Sequence, residues 1–180
     1  MKLDYWTRKL YELAPEEEIK RIFDSPYCEY GNSFIGFTQI YGELANIIPK
    51  NKFVIDLGSY AGLQAYFFQN HHAYIGIDRL PFRTDVPNMR WIPRVKIKNG
   101  IFIEREIIDY LKEQNTEQRI WLAENAFAIV SYVPLDDDKM QYISDFFPNM
   151  ACYYPGCPQW QWVRLNGYKY RFDPAELEEL

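Results

Sequence analysis

Apolar residues fall into short runs and helical stripes that alternate along the chain. Phe53-Val54-Ile55, continued at Leu57 and broken only by Asp56, has the pattern of a short buried strand. Gly58 and Gly62 punctuate a turn behind it. Leu63, Tyr66 and Phe67 recur at helical spacing, so a helix is expected to begin in or just after that loop. Tyr74-Ile75-Gly76-Ile77, ended by Asp78, is a second apolar run, and the whole stretch has the size of a βαβ unit. Upstream, Trp6, Leu10 and Leu13 mark a helix over about residues 3–13. Pro15 followed by Glu16-Glu17-Glu18 opens another, with Ile19, Ile22 and Phe23 as its stripe and Ser25-Pro26 as its end. Phe37, Ile40, Leu44 and Ile47 predict a third, before Pro49-Lys50-Asn51-Lys52 turns the chain into the first strand.

Downstream of Asp78, Val95 to Ile103 reads as two strands around an Asn99-Gly100 turn. Glu104 to Glu113 fits a helix that buries Ile107, Ile108 and Leu111. Phe127 to Val133 is a further strand. Asp136-Asp137-Asp138 opens a helix with Met140, Ile143 and Phe147 on its apolar side. Met150 to Tyr154 is read as a fifth strand. Gln161–Leu165 and Tyr168–Phe172 flank Asn166-Gly167, the strongest hairpin signal in the chain. Only Pro155 to Gln159 lies between that fifth strand and the hairpin, too little for a helix, so the sheet is expected to be trimmed at that edge. The alternation predicts one α/β domain over 1–180, with a mostly parallel central sheet, helices on both faces and a C-terminal antiparallel hairpin. Residues 1–50 form an N-terminal helical segment packed on it.

Composition narrows the classes. The chain has 180 residues, 48% hydrophobic and 25% charged, as in an ordinary globular domain. A net charge of −5 argues against broad affinity for a phosphate backbone. Cys28, Cys152 and Cys157 form no disulfide framework, and Cys152 and Cys157 are spaced unlike a zinc or redox pair. His71 and His72 are the sole histidines, so no metal site is expected. The N-terminus lacks the apolar core of a signal peptide and no apolar run approaches a membrane span. A cytoplasmic protein with free thiols and no membrane partner is expected.

Ligands of doubly wound sheets bind outside the carboxyl ends of the strands, where glycine lets the backbone approach closely and a second-strand acid accepts ribose hydroxyls. Asp78 lies 22 residues after Asp56, near the offset that dinucleotide sites use for that acid. The dinucleotide pattern G-x-G-x-x-G, started at Gly58, meets Tyr60 and Leu63, and no P-loop ending occurs. What stands instead is Asp56-x-Gly58-x-x-x-Gly62 followed by Gly76-Ile77-Asp78. This pair resembles the first two motifs of the class I S-adenosylmethionine-dependent methyltransferases. The resemblance implies a Rossmann-like three-layer sandwich and S-adenosylmethionine as cofactor. It implies that Asp56, Gly58, Ser59, Tyr60 and Gly62 bind the methionine end and that Asp78 binds the ribose. Tyr60 departs from the family's middle glycine. Tyr30 and Phe34, in the segment before the core, are weak candidates for the pocket wall. Ser131-Tyr132-Val133-Pro134 occupies the place where amino-methyltransferases carry an Asn/Asp-Pro-Pro-aromatic tetrapeptide, without its leading amide or acid or its double proline. That chemistry does not transfer, and Ser131 and Tyr132 remain candidate substrate contacts by location. No catalytic base is assigned.

One reading of another class stands beside methyl transfer to an unidentified acceptor, while nicotinamide-dependent redox chemistry is disfavoured by the missing glycines. Singly, each of these residues suits a structural role, Asp56 as a turn cap and the glycines for packing. The chain is then a non-catalytic Rossmann-like binding or regulatory protein with a degenerate cofactor pocket. Separately, residues 79–105 carry seven basic residues against Asp85 and Glu104, with Trp91 among them. Such a segment suits an anionic substrate or a nucleic-acid strand. A solvated face that balances an acidic protein is the preferred reading.

Overall fold

The structure is a computed structural model that describes residues 4–26, 28, 34–79 and 93–172. Seven strands form one sheet: β1 (Phe53–Leu57), β2 (Ala73–Asp78), β3 (Gly100–Glu104), β4 (Ala126–Ser131), β5 (Met150–Tyr153), β6 (Gln161–Leu165) and β7 (Tyr168–Arg171). Their order is β3-β2-β1-β4-β5-β6-β7. The first five run parallel, with β6 antiparallel to β5 and β7 antiparallel to β6. The parallel part reverses direction between β1 and β4, which puts a switch-point crevice at their carboxyl ends. This architecture is compatible with a Rossmann-like fold.

Six α-helices cover the sheet: α1 (Tyr5–Leu13), α2 (Glu16–Phe23), α3 (Phe34–Ile47), α4 (Ile107–Lys112), α5 (Thr116–Asn125) and α6 (Asp137–Phe146). Two cores result. One joins Leu10, Ile22, Ile40 and Leu44 of α1–α3 to Val54, Tyr74 and Phe127. The other joins Leu111, Leu122 and Ile143 of α4–α6 to Ile55, Ile77 and Val130. Every residue of β4 is buried, as a central strand covered on both faces requires. No described helix is long and apolar enough to cross a membrane.

Three local readings change. The element after Gly62 is a six-residue 3-10 segment, Leu63–Phe68, rather than an α-helix. All six of its side chains are buried, so it has no solvent face on which an amphipathic helix could be built. Only the second of the two strands expected around Asn99-Gly100 forms. Residues 93–99 are a strap instead, because the Asn99 side chain donates to the carbonyls of Phe68 (3.1 Å) and His71 (3.0 Å) and its own carbonyl accepts from Tyr74 N–H (2.9 Å). The left-handed pair that a tight hairpin needs is found at Asn166 (φ 51°) and Gly167 (φ 82°). Helix α5 had no stripe to announce it, since Leu122 is its one buried residue, yet Asn115 and Gln118 close a capping box at its start. As expected, no α-helix separates β5 from the hairpin: the chain passes through a 3-10 turn, Pro158–Trp160, into β6 and β7.

Helix α1 crosses α3 at Gly42, where Trp6 lies against the backbone and donates to Glu43 Oε1 at 2.7 Å. A Cβ at position 42 would lie 2.2 Å from Trp6 Cε3. Gly42→Ala gains about 1 kcal/mol of helix propensity, but overpacking against the indole costs more, about 1–3 kcal/mol or above. A lowered urea midpoint is expected for Gly42→Ala, and a raised one would show that α1 is free to slide.

Candidate functional site

Asp56 is completely buried at the fourth position of β1, and both of its oxygens are engaged. Tyr41 of α3 donates to Oδ1 at 2.8 Å, while Gln64 Nε2 (2.7 Å) and Tyr74 of β2 (2.5 Å) donate to Oδ2. Gln64 also donates to the Ser59 carbonyl at 2.8 Å, so one amide braces both the acid and the loop behind it. Burial pushes the Asp56 carboxyl up from 3.8 to about 6, against the lowering effect of its three donors, and the charge of Asp78 pushes in the same direction as burial. Asp56 pairs in register with Gly76, two residues before Asp78. Strand geometry therefore sets the two acids' Cα atoms about 8 Å apart.

The loop after β1 turns sharply over the tip of β2. Gly58 N–H (2.7 Å) and Ser59 N–H (3.1 Å) both donate to the Ile77 carbonyl. Tyr60 then adopts a left-handed conformation (φ 49°) and donates its N–H to Asp78 Oδ2 at 2.9 Å. A tyrosine thus holds the glycine-like geometry of the position, at a backbone cost of about 1–2 kcal/mol. Gly62 N–H returns to the Ser59 carbonyl at 3.0 Å. The room that the glycines leave is taken by protein: Val133 Cγ2 lies 2.1 Å from where a Gly58 Cβ would be, and the Phe102 ring lies 2.7 Å from that of Gly62.

The strap covers the outer side of this loop. Val95 N–H donates to the Ala61 carbonyl at 3.2 Å, and the Arg94 guanidinium stacks over Phe102 at 4.2 Å. Helix α2 clips the strap from above, with Arg21 donating to the Arg94 carbonyl and Glu18 accepting from Lys96 N–H at 3.3 Å. Part of the basic segment is therefore structural, and residues 80–92 lie outside the described residues.

Two buried hydroxyls at the tips of neighbouring strands, Ser59 Oγ and Ser131 Oγ, have no hydrogen-bond partner. Ser59 Oγ lies over β2, 2.6 Å from where a Gly76 Cβ would be. Beyond β4, Tyr132 is left-handed (φ 58°), and its ring packs 5.7 Å from that of Tyr153. Burial, with Tyr153 beside it, pushes the Tyr132 hydroxyl up to about 12, so it holds its proton at neutral pH. The structure thus brings Asp56, Gly58, Ser59, Tyr60, Gly62 and Asp78 together at the tips of β1 and β2, with Ser131 and Tyr132 at the tip of β4. Phe34 takes its place in the helical layer instead. It is buried in α3 against Phe23 and Phe37 at 5.0 and 6.1 Å. Tyr30 lies outside the described residues. Tyr41, Gln64 and Tyr74, which hold Asp56, were missed by sequence reasoning because a tyrosine on an apolar stripe looks like any other core residue. Among the described residues, no group of three or more His, Cys, Asp or Glu side chains is placed to hold a metal ion. No protein-family model matches the chain, and a search of curated proteins finds no significant match.

Because the Asp56 carboxyl rises from 3.8 unfolded to about 6 folded, the folded state binds more protons between those values. Its contribution therefore falls as pH rises through that window, by about 3 kcal/mol, and is constant above it. Asp56→Asn has no such slope. The stability of Asp56→Asn relative to the unsubstituted protein is expected to climb between pH 4 and pH 7 in urea unfolding, and a flat difference would contradict the buried-acid account.

Proposed function

We propose that the chain binds S-adenosylmethionine at the tips of β1 and β2 and acts as a methyltransferase of the class I type on an acceptor still to be identified. The observation that carries this is the bond from Tyr60 N–H to Asp78 Oδ2, which sets the β1 loop beside the second-strand acid at the switch point. The residues present fit the cofactor in part. Asp78, 9% exposed, supplies the acceptor for ribose hydroxyls, and the unpartnered Ser59 hydroxyl offers a donor beside it. Asp56 supports from beneath: with both oxygens engaged by Tyr41, Gln64 and Tyr74, it holds the loop rather than the ligand.

When bound beside Asp78 and Ser59, the cofactor would supply an electrophilic methyl group for in-line transfer to an acceptor atom, its sulfonium sulfur leaving as a neutral thioether. Such a reaction asks the protein chiefly for alignment of two reactants. The two acids favour a cationic sulfonium over its neutral product. Tyr132, kept protonated, does not serve as a base at neutral pH. A cytoplasmic setting suits the proposed cofactor.

A second reading, a Rossmann-like binding or regulatory protein without turnover, is favoured by one observation. The Gly58, Ser59 and Tyr60 N–H groups are all bonded within the protein, and Val133 fills the space at Gly58. Titration calorimetry with S-adenosylmethionine and S-adenosylhomocysteine separates the two. Binding is expected, and Asp78→Asn, which keeps an acceptor for Tyr60 N–H, is expected to weaken it at least about tenfold. Absence of binding to either compound would overturn the first reading, and tight binding with no methyl transfer to candidate acceptors would favour the second.

A further inference from the structure

The sheet has two edges, and they are built differently. Edge strand β7, Tyr168-Lys169-Tyr170-Arg171, carries a cation at every second position, a usual protection against pairing with another chain. Edge strand β3, Gly100-Ile101-Phe102-Ile103-Glu104, has no charge before its last residue, and Ile101 is 58% exposed on it. No proline or left-handed residue interrupts β3.

The ladder with β2 decides which backbone groups of β3 face outward. Tyr74 N–H donates to the Asn99 carbonyl and Arg105 N–H donates to the Asp78 carbonyl, so residues 99, 101, 103 and 105 turn their backbone groups towards β2. Gly100, Phe102 and Glu104 turn theirs away. Gly100 N–H bonds to the Ile97 carbonyl at 3.3 Å. Among the described residues nothing pairs with the remaining outward groups.

We propose that two copies of the chain join along β3, antiparallel, with the two-fold axis at Phe102. Outward-facing residues must oppose one another, and this register alone engages all three. Phe102 exchanges both backbone bonds with its counterpart, and Glu104 N–H meets the Gly100 carbonyl of the other copy, whose own N–H is already bonded. A register centred on Glu104 would set two carboxylates face to face. In the Phe102-centred register Ile101 lies beside Ile103 of the other copy, which extends the apolar row Ile55, Ile75, Ile101 that already crosses β1, β2 and β3. The surface is self-complementary in backbone bonds and apolar contacts, as an isologous interface requires.

Sedimentation velocity on the full chain is expected to show a concentration-dependent dimer. Ile101→Lys, which gives β3 the protection that β7 has, and Glu104→Pro, which deletes an N–H that faces away from β2, should each raise the dissociation constant at least about tenfold. Should a variant unfold, hydrogen exchange on the unsubstituted chain decides, since the Phe102 and Glu104 amides are protected only in the dimer and their protection must rise with concentration. A monomer at every concentration, or a dimer whose Phe102 and Glu104 amides exchange freely, would overturn the proposal.

Discussion

A single buried carboxylate ties the layers of this protein together. Removing Asp56 from water costs several kcal/mol if it stays ionised, and three donors offset that cost from three different elements: Tyr41 on α3, Gln64 on the 3-10 segment and Tyr74 on β2. Each donor is itself buried, so none can leave without stranding the others' acceptor. The same arrangement sets the starting angle of the loop that follows β1. Helix layer, crossover and sheet are thus referenced to one point, and that point lies directly beneath the candidate site.

Backbone strain gathers where the two readings of function meet. Three described residues other than glycine are left-handed, and one of them, Asn166, belongs to the hairpin turn. The other two, Tyr60 and Tyr132, follow β1 and β4, the strands on either side of the switch point. Strain of this kind persists only where surrounding structure imposes it. Here the loop bonds to Ile77 and Asp78 impose it at Tyr60, and the bond from Tyr132 N–H to the Tyr153 carbonyl (3.1 Å) does so at Tyr132. Two buried hydroxyls with no partner among the described residues, those of Ser59 and Ser131, lie beside these strained residues, so strain and unmet hydrogen-bonding capacity coincide at the crevice.

Much of the architecture was legible because it follows from periodicity. The runs at Phe53, Tyr74, Phe127 and Met150 became parallel strands, and the stripes at Ile40 and Ile143 became helices on opposite faces. Where the reading failed, a long-range bond overrode a local signal. Asn99-Gly100 and Asn166-Gly167 are the same dipeptide, yet only the second makes a hairpin, because Asn99 is drawn into bonds with Phe68, His71 and Tyr74. Leu63 to Phe68 has helical spacing but no polar side, and enclosure tightened it into a 3-10 segment. At the candidate site, the acids and glycines were visible as a motif. The Val133 and Phe102 side chains that fill the glycines' space were not, because they arrive from the loop after β4 and from β3, far along the chain.

The position of β4 has a consequence for how the molecule is made. The N-terminal group β1–β3 and the C-terminal group β4–β7 are each continuous in sequence, and within the sheet they join along the β1–β4 ladder. A chain emerging from the ribosome therefore carries an open, apolar flank on β1 until residues 126–131 have been synthesised. Late closure of a central parallel ladder is the slow kind of assembly, and during that interval the nascent polypeptide depends on chaperones or on speed to escape misassociation.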